Sequence, residues 1–86
     1  MKIPTIHLNG SGKARLTSQL EEAHNALTNA LEKLQDAAPH GRDYYPQGDD
    51  AYTEAAREHV SRLSRLLAVR DELVAMWEAI EEVQRA

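Results

Sequence analysis

Residues 16–37, LTSQLEEAHNALTNALEKLQDA, decide the fold of this chain. Their apolar members recur at alternating spacings of four and three residues, and good helix formers fill much of the rest. Such a heptad pattern is typical of a helix that packs lengthwise against another helix. The predicted stripe consists of Leu16, Leu20, Ala23, Leu27, Ala30, Leu34 and Ala37, and Leu31 widens it.

The predicted bounds of this helix are residues 11–38. Asn9 or Ser11 can accept hydrogen bonds from its first free N–H groups. Pro39 disfavours helical geometry in the residue before it, so the helix should end there. The stretch that follows is rich in proline and glycine, which predicts a turn over residues 39–49.

A second, longer helix is predicted over residues 50–86, which contain neither glycine nor proline. Asp49 or Asp50 can cap its first turn, where a negative charge is favourable. Its apolar face comprises Tyr52, Ala56, Val60, Leu63, Leu66, Val69, Leu73, Met76, Ile80 and Val83, broadened by Leu67, Val74 and Trp77.

The short turn brings the second helix back antiparallel to the first, so the predicted fold is an all-α helical hairpin. Residues equidistant from the turn should meet, which places Leu34 near Glu54 and Leu16 near Glu72. The longer helix then extends beyond its neighbour from about Trp77 onward. Residues 1–10 form a short extended arm that covers part of this extension through Ile3, Ile6 and Leu8, and the whole of residues 1–86 forms one domain.

Two helices cannot hide an apolar surface this wide from water. A large exposed apolar patch favours association, so we expect a homo-oligomer, most simply a dimer that forms a four-helix bundle. A protein partner would satisfy the same requirement. The expected interface comprises Leu66, Val69, Leu73, Met76, Trp77, Ile80 and Val83.

Composition restricts the classes of function. Fourteen acidic residues outnumber ten basic residues, giving a net charge of −4, which disfavours nucleic acid and anionic membranes as partners. There is no cysteine, which excludes disulfides and thiolate metal sites. The N-terminal residues lack the apolar run of a signal peptide, and no stretch has the length of a transmembrane helix. These features predict a cytoplasmic protein.

No catalytic motif is present, so we expect no enzyme activity and no cofactor. Asn9-Gly10-Ser11-Gly12-Lys13 lacks the spacing of a phosphate-binding loop. His24 and His59 lie on opposite helices, with Glu21 as a third ligand, but too few ligands converge to predict a metal site. The turn residues Arg42, Asp43, Tyr44 and Tyr45 form a second candidate contact surface.

Two short strings resemble a group of small proteins from tailed phages and prophages. These strings are Ile6-His7-Leu8-Asn9-Gly10 and the turn from Ala38 to Gly48, APHGRDYYPQG. In that group a similar start precedes one helix and an APNGRDYY-like turn precedes another; here His40 stands where the group has asparagine. The resemblance covers most of the chain and implies a phage or prophage origin, with a location in the bacterial cytoplasm or the virion.

The sequence therefore predicts a non-enzymatic interaction or structural protein that acts through oligomeric helix packing. The alternative is a nucleic-acid-associated regulator, in which arginines of the second helix would contact phosphates. The arginines in question are Arg57, Arg62, Arg65 and Arg70.

Overall fold

A computed structural model describes residues 1–6 and 11–83, except for the side chains of Ser11 and Val83. Helix α1 spans Ser11–Asp36, the short helix α2 spans Gly41–Tyr44, a 3₁₀ turn spans Tyr45–Gln47, and α3 spans Ala51–Val83. The all-helical class is confirmed for this part of the chain. Predictions on His7, Leu8, Asn9 and residues 84–86 lie outside the described residues.

Helix α1 ends two residues before the predicted position. The amides of Ala37 and Ala38 donate to the carbonyl oxygens of Leu34 and Gln35, at 3.0 and 3.1 Å. These bonds span three residues and tighten the last turn before Pro39, as at many helix ends. The connector is not an irregular turn, because α2 and the 3₁₀ turn occupy most of it.

The long helices α1 and α3 pack side by side and antiparallel, in a rod of 62 × 20 × 14 Å. Lys13 lies opposite Glu81, and Thr28 lies opposite Arg70. The predicted pairing of Leu16 with Glu72 is therefore wrong, because α3 is shifted along α1 by about two helical turns relative to the prediction.

The connector explains this shift. Both α2 and the 3₁₀ turn pack against α3, and Ala37 and Pro39 line one cavity with Ala51 and Glu54 of its first turns. The start of α3 therefore extends past the end of α1, whereas the sequence predicted an extension from Trp77 onward. That end of α3 lies beside the start of α1.

The side of α1 that faces α3 differs from the predicted stripe. Leu31 is 6% exposed, whereas Ala23, Ala30 and Ala37 are exposed. Leu20, Leu27 and Leu34 are half-buried, as are Thr17 and His24. The three leucines belong to both possible heptad stripes, and α3 packs on the stripe that contains Leu31 because this side chain buries more apolar area than alanine.

The inner side of α3 is likewise rotated from the predicted face. His59 and Ile80 are buried, at 8% and 0% exposure, and the positions between them follow a heptad spacing. Those positions are Leu63, Leu66, Arg70, Leu73 and Trp77, all half-buried. Val60 and Val69, predicted on the apolar face, are 59% and 44% exposed, and Tyr52 and Leu67 are also exposed.

Residues 1–6 have no regular secondary structure, and Ile3 and Ile6 are half-buried within them. The predicted alternation of an extended arm continues through His7 and Leu8, which lie outside the described residues. An extended arm therefore stays a prediction.

Gly48 links the 3₁₀ turn to α3 with a φ angle of 112°, in the region that favours glycine. We expect Gly48→Ala to lower the free energy of unfolding by about 1–2 kcal/mol, because the native backbone is strained for any L side chain. An added Cβ meets no atom within 4 Å, so the cost arises from the backbone alone.

Gly41→Ala is the matched control for this prediction. Gly41 also has open space for a Cβ and has no positive φ, so its substitution should leave stability unchanged or raise it slightly. Urea unfolding followed by circular dichroism measures both variants. Equal midpoints would contradict a strained backbone at Gly48.

Candidate interaction surfaces

Polar contacts between the long helices lie on the side of the pair that carries Thr28 and Glu81. The guanidinium Nη1 of Arg70 donates to the hydroxyl oxygen of Thr28 at 3.1 Å. The ammonium of Lys13 lies 3.1 Å from a carboxylate oxygen of Glu81, whose other oxygen accepts from the indole N–H of Trp77 at 3.4 Å. We call this side, defined by Lys13, Thr28, Arg70 and Glu81, the polar face.

The opposite side of the pair carries mainly small and apolar side chains, with Arg62 one heptad before Val69. Each helical residue is rotated by about 100° from the one before it. Ala23 and Ala30 directly precede His24 and Leu31, which face α3, and Val69 directly precedes Arg70, which faces α1. Because the two helices are antiparallel, a residue that directly precedes an inward-facing residue lies on the same side of the pair, whichever helix it belongs to. We call this side, defined by Ala23, Ala30, Ala37, Val69 and Met76, the alanine face.

The residues predicted for an oligomer interface fall into different environments. Val69 is exposed, and Leu66, Leu73, Met76 and Trp77 are half-buried. Ile80 is fully buried within the single chain, so its apolar area is already covered without a second copy. The side chain of Val83 lies outside the described residues. Of this set, the alanine face contains Val69 and Met76.

The predicted turn surface is divided between solvent and the interior. Tyr45 is 82% exposed, and Arg42 and Asp43 are exposed beside it. Tyr44 is half-buried and lines a cavity of about 270 Å³ between the connector and the first turns of α3. Tyr44 therefore holds the connector in place, whereas the other three side chains remain available for contact.

This cavity also brings together groups that the sequence analysis treated separately. His59, Glu58, Arg62 and Gln47 line it together with Tyr44. His59 is buried because the connector covers the first turns of α3, which extend past the end of α1. A histidine at a heptad position was the one available signal for this site, and it was considered as a metal ligand without a metal site being predicted.

The two helical histidines do not meet. His24 lies one turn before Thr28, which is opposite Arg70, whereas His59 lies three turns before Arg70. The Nδ1 atom of His24 is 3.4 Å from Oδ1 of its neighbour Asn25. Within residues 1–6 and 11–83, no three His, Cys, Asp or Glu side chains are grouped so that they could hold a metal ion.

Three of the four arginines of α3 lie on adjoining surface, since Arg57 and Arg65 line one cavity and Arg62 and Arg65 line another. Arg70 points toward α1, where Thr28 accepts its hydrogen bond. Arg62 lies 3.8 Å from Glu58, and Nε of Arg65 donates to the carbonyl oxygen of Ser61 at 3.3 Å. Arg70 is thus separate from the other three arginines, and Glu54 and Glu58 lie among those three, unlike the continuous basic stripe of a protein that binds phosphates.

None of the protein-family models, curated proteins or solved structures compared with this chain matches it. Between Ser11 and Val83, no helix combines the length and apolar character needed to cross a bilayer.

Proposed function

We propose that this chain is a non-enzymatic interaction protein whose working form is an oligomer, most simply a dimer, of the helical hairpin. The observation that carries the proposal is the surface that one copy leaves in water. The single chain has an accessible surface of 6691 Å², whereas a compact monomer of 9.6 kDa exposes about 5,100 Å².

The shape and the core support the same proposal. The radius of gyration is 18.9 Å, against about 12 Å for a compact chain of this length. Among the described residues, Leu31 and Ile80 are the buried hydrophobic side chains. So small a core stabilises a folded chain weakly, and a second copy would add apolar burial where the hairpin lacks it.

Light scattering over a dilution series tests the proposal. We expect a mass of twice 9.6 kDa that falls toward that of one chain on dilution. A fully helical particle with the mass of one chain at the highest concentration would contradict the proposal.

Nucleic acid is the alternative partner that the sequence analysis left open, and a titration with duplex DNA at low and moderate salt separates it from the proposal. Because Arg70 is directed toward α1 and carboxylates lie among the other three arginines, we expect no salt-dependent binding at micromolar protein. Binding that weakens steeply with salt would favour the regulator.

The phage or prophage origin, and with it a place in the bacterial cytoplasm or the virion, is part of this proposal. It is supported by the two short strings described above, of which residues 7–10 lie outside the described residues.

A further inference from the structure

We propose that a second copy of this chain docks on the alanine face, with its α3 antiparallel to α3 of the first. This inference rests on the proposed function and adds to it the surface and the arrangement. The two copies then form four helices in two layers, with Val69 of each α3 opposite Met76 of the other.

The surface that the single chain leaves uncovered is large enough for an interface with a second copy. The single chain exposes about 1,600 Å² more than a compact monomer of its mass. A stable interface of standard size removes about 800 Å² from each copy. One long side of a rod of 62 × 20 Å supplies that area.

On α3 both faces carry apolar side chains, since Val60 and Leu67 lie on the side of the polar face and Arg62 lies one heptad before Val69. The alanines of α1 and the cost of burying the paired charges select the alanine face. Covering the polar face would take Lys13, Glu81 and Arg70 out of water, and burying charges costs free energy that their pairing seldom recovers fully. The alanine face presents Val69, 44% exposed, beside the exposed Ala23 and Ala30. Small side chains allow helices of two copies to approach closely, and the larger Val69 and Met76 supply apolar area.

Charge along α3 selects the antiparallel arrangement. Residues 54–70 hold four arginines and two glutamates, whereas residues 71–83 hold five carboxylates and no basic residue. An antiparallel pair of α3 helices places the basic half of each copy against the acidic half of the other. A parallel pair would instead bring the two acidic halves side by side, and repulsion between like-charged halves opposes association at low ionic strength.

The direct test compares Val69→Arg with Val60→Arg. Both valines lie on α3 and are exposed in the single chain, at 44% and 59%, so neither variant should lose its fold. Val69 belongs to the alanine face, whereas Val60 follows the inward His59 and lies on the side of the polar face. We expect Val69→Arg to weaken self-association at least about 100-fold, because each dimer would bury two unpaired charges.

Val60→Arg, the matched control, should change the dimer dissociation constant by less than about threefold. Sedimentation equilibrium measures the constants, and circular dichroism confirms the helix content of each variant. Ala30→Arg tests the other helix of the same face and should weaken association as strongly as Val69→Arg.

Cysteine variants test the arrangement, since the natural chain has no cysteine. A disulfide requires Cα atoms within about 7 Å. We therefore expect a mixture of Val69→Cys and Met76→Cys chains to form a crosslinked dimer on mild oxidation. Val69→Cys alone should not, because the two copies of residue 69 are separated by about 10 Å along the helices.

The outcomes separate this inference from the proposed function. A monomeric natural chain would overturn both. If Val60→Arg disrupts the dimer and Val69→Arg does not, the alanine face is not the interface, although the chain still self-associates. Crosslinking of Val69→Cys with Ala30→Cys, in place of Met76→Cys, would overturn the antiparallel pairing of α3 with its copy.

Discussion

Ile80→Asp is expected to unfold the chain. The side chain of Ile80 is fully buried, and its removal from the core forfeits about 2–3 kcal/mol of apolar burial. The new carboxylate would lie in the same apolar site, and a buried polar group without a partner costs several kcal/mol more. Together these losses approach the whole stability of a small domain, so far-ultraviolet circular dichroism at 25 °C should lose most of its helical signal.

The control for this variant is Val60→Asp, which introduces the same residue on the same helix at an exposed position. Its helix content should match that of the natural chain. Its free energy of unfolding, measured in urea, should change by no more than about 0.5 kcal/mol. A helical Ile80→Asp variant with a normal melting temperature would show that α1 does not cover this end of α3.

Leu31→Ala is expected to lower the free energy of unfolding by about 2–4 kcal/mol. Leu31 is the most buried side chain of α1, and truncation of a buried leucine loses both transfer energy and packing around the cavity that remains. Leu31→Met conserves volume and should cost less than about 1.5 kcal/mol. Urea unfolding gives both values under the same conditions.

This pair of variants also decides which heptad stripe of α1 faces α3. If Ala30 faced α3, Leu31 would be near the edge of the interface, and its truncation would cost about 0.5 kcal/mol. Equal effects of Leu31→Ala and Leu31→Met would likewise contradict the packing described here.

The helices themselves were predictable because their signals are local. The proline at 39 and the glycines at 41 and 48 interrupt two long helix-forming segments. In the described part of the chain, α1 ends two residues before the predicted position and α3 begins one residue after it. These features depend on backbone geometry within a few residues, so the sequence contains them directly.

The rotation of each helix depends on its neighbour and was not predictable from spacing. Leu20, Leu27 and Leu34 fit a stripe that continues through Ala30 and equally one that continues through Leu31. Only contact with α3 distinguishes them. The same difficulty affected α3, where the inward positions include the polar His59 and Arg70. A pattern of apolar residues does not include these two positions and instead includes Val60 and Val69.

The relative position of the two helices was predicted incorrectly because the connector was treated as a simple bend. Residues 41–47 of the connector form α2 and a 3₁₀ turn that lie against α3. The cavity beside His59 follows from the same packing, so neither feature was accessible from the sequence pattern. The separation into an alanine face and a polar face also required the observed contacts of Thr28 with Arg70 and of Lys13 with Glu81.

The antiparallel register has a consequence for how the chain folds. Thr28 and Arg70 are 42 residues apart along the chain, and Lys13 and Glu81 are further apart still. Because the entropy lost on closing a loop grows with its length, we expect contacts next to the connector to form first and pairing to proceed toward the chain termini. We expect thermal opening to start at the end of the hairpin that the connector does not join. Ile80 lies at that end, and its burial stabilises the packing of α1 on α3 there.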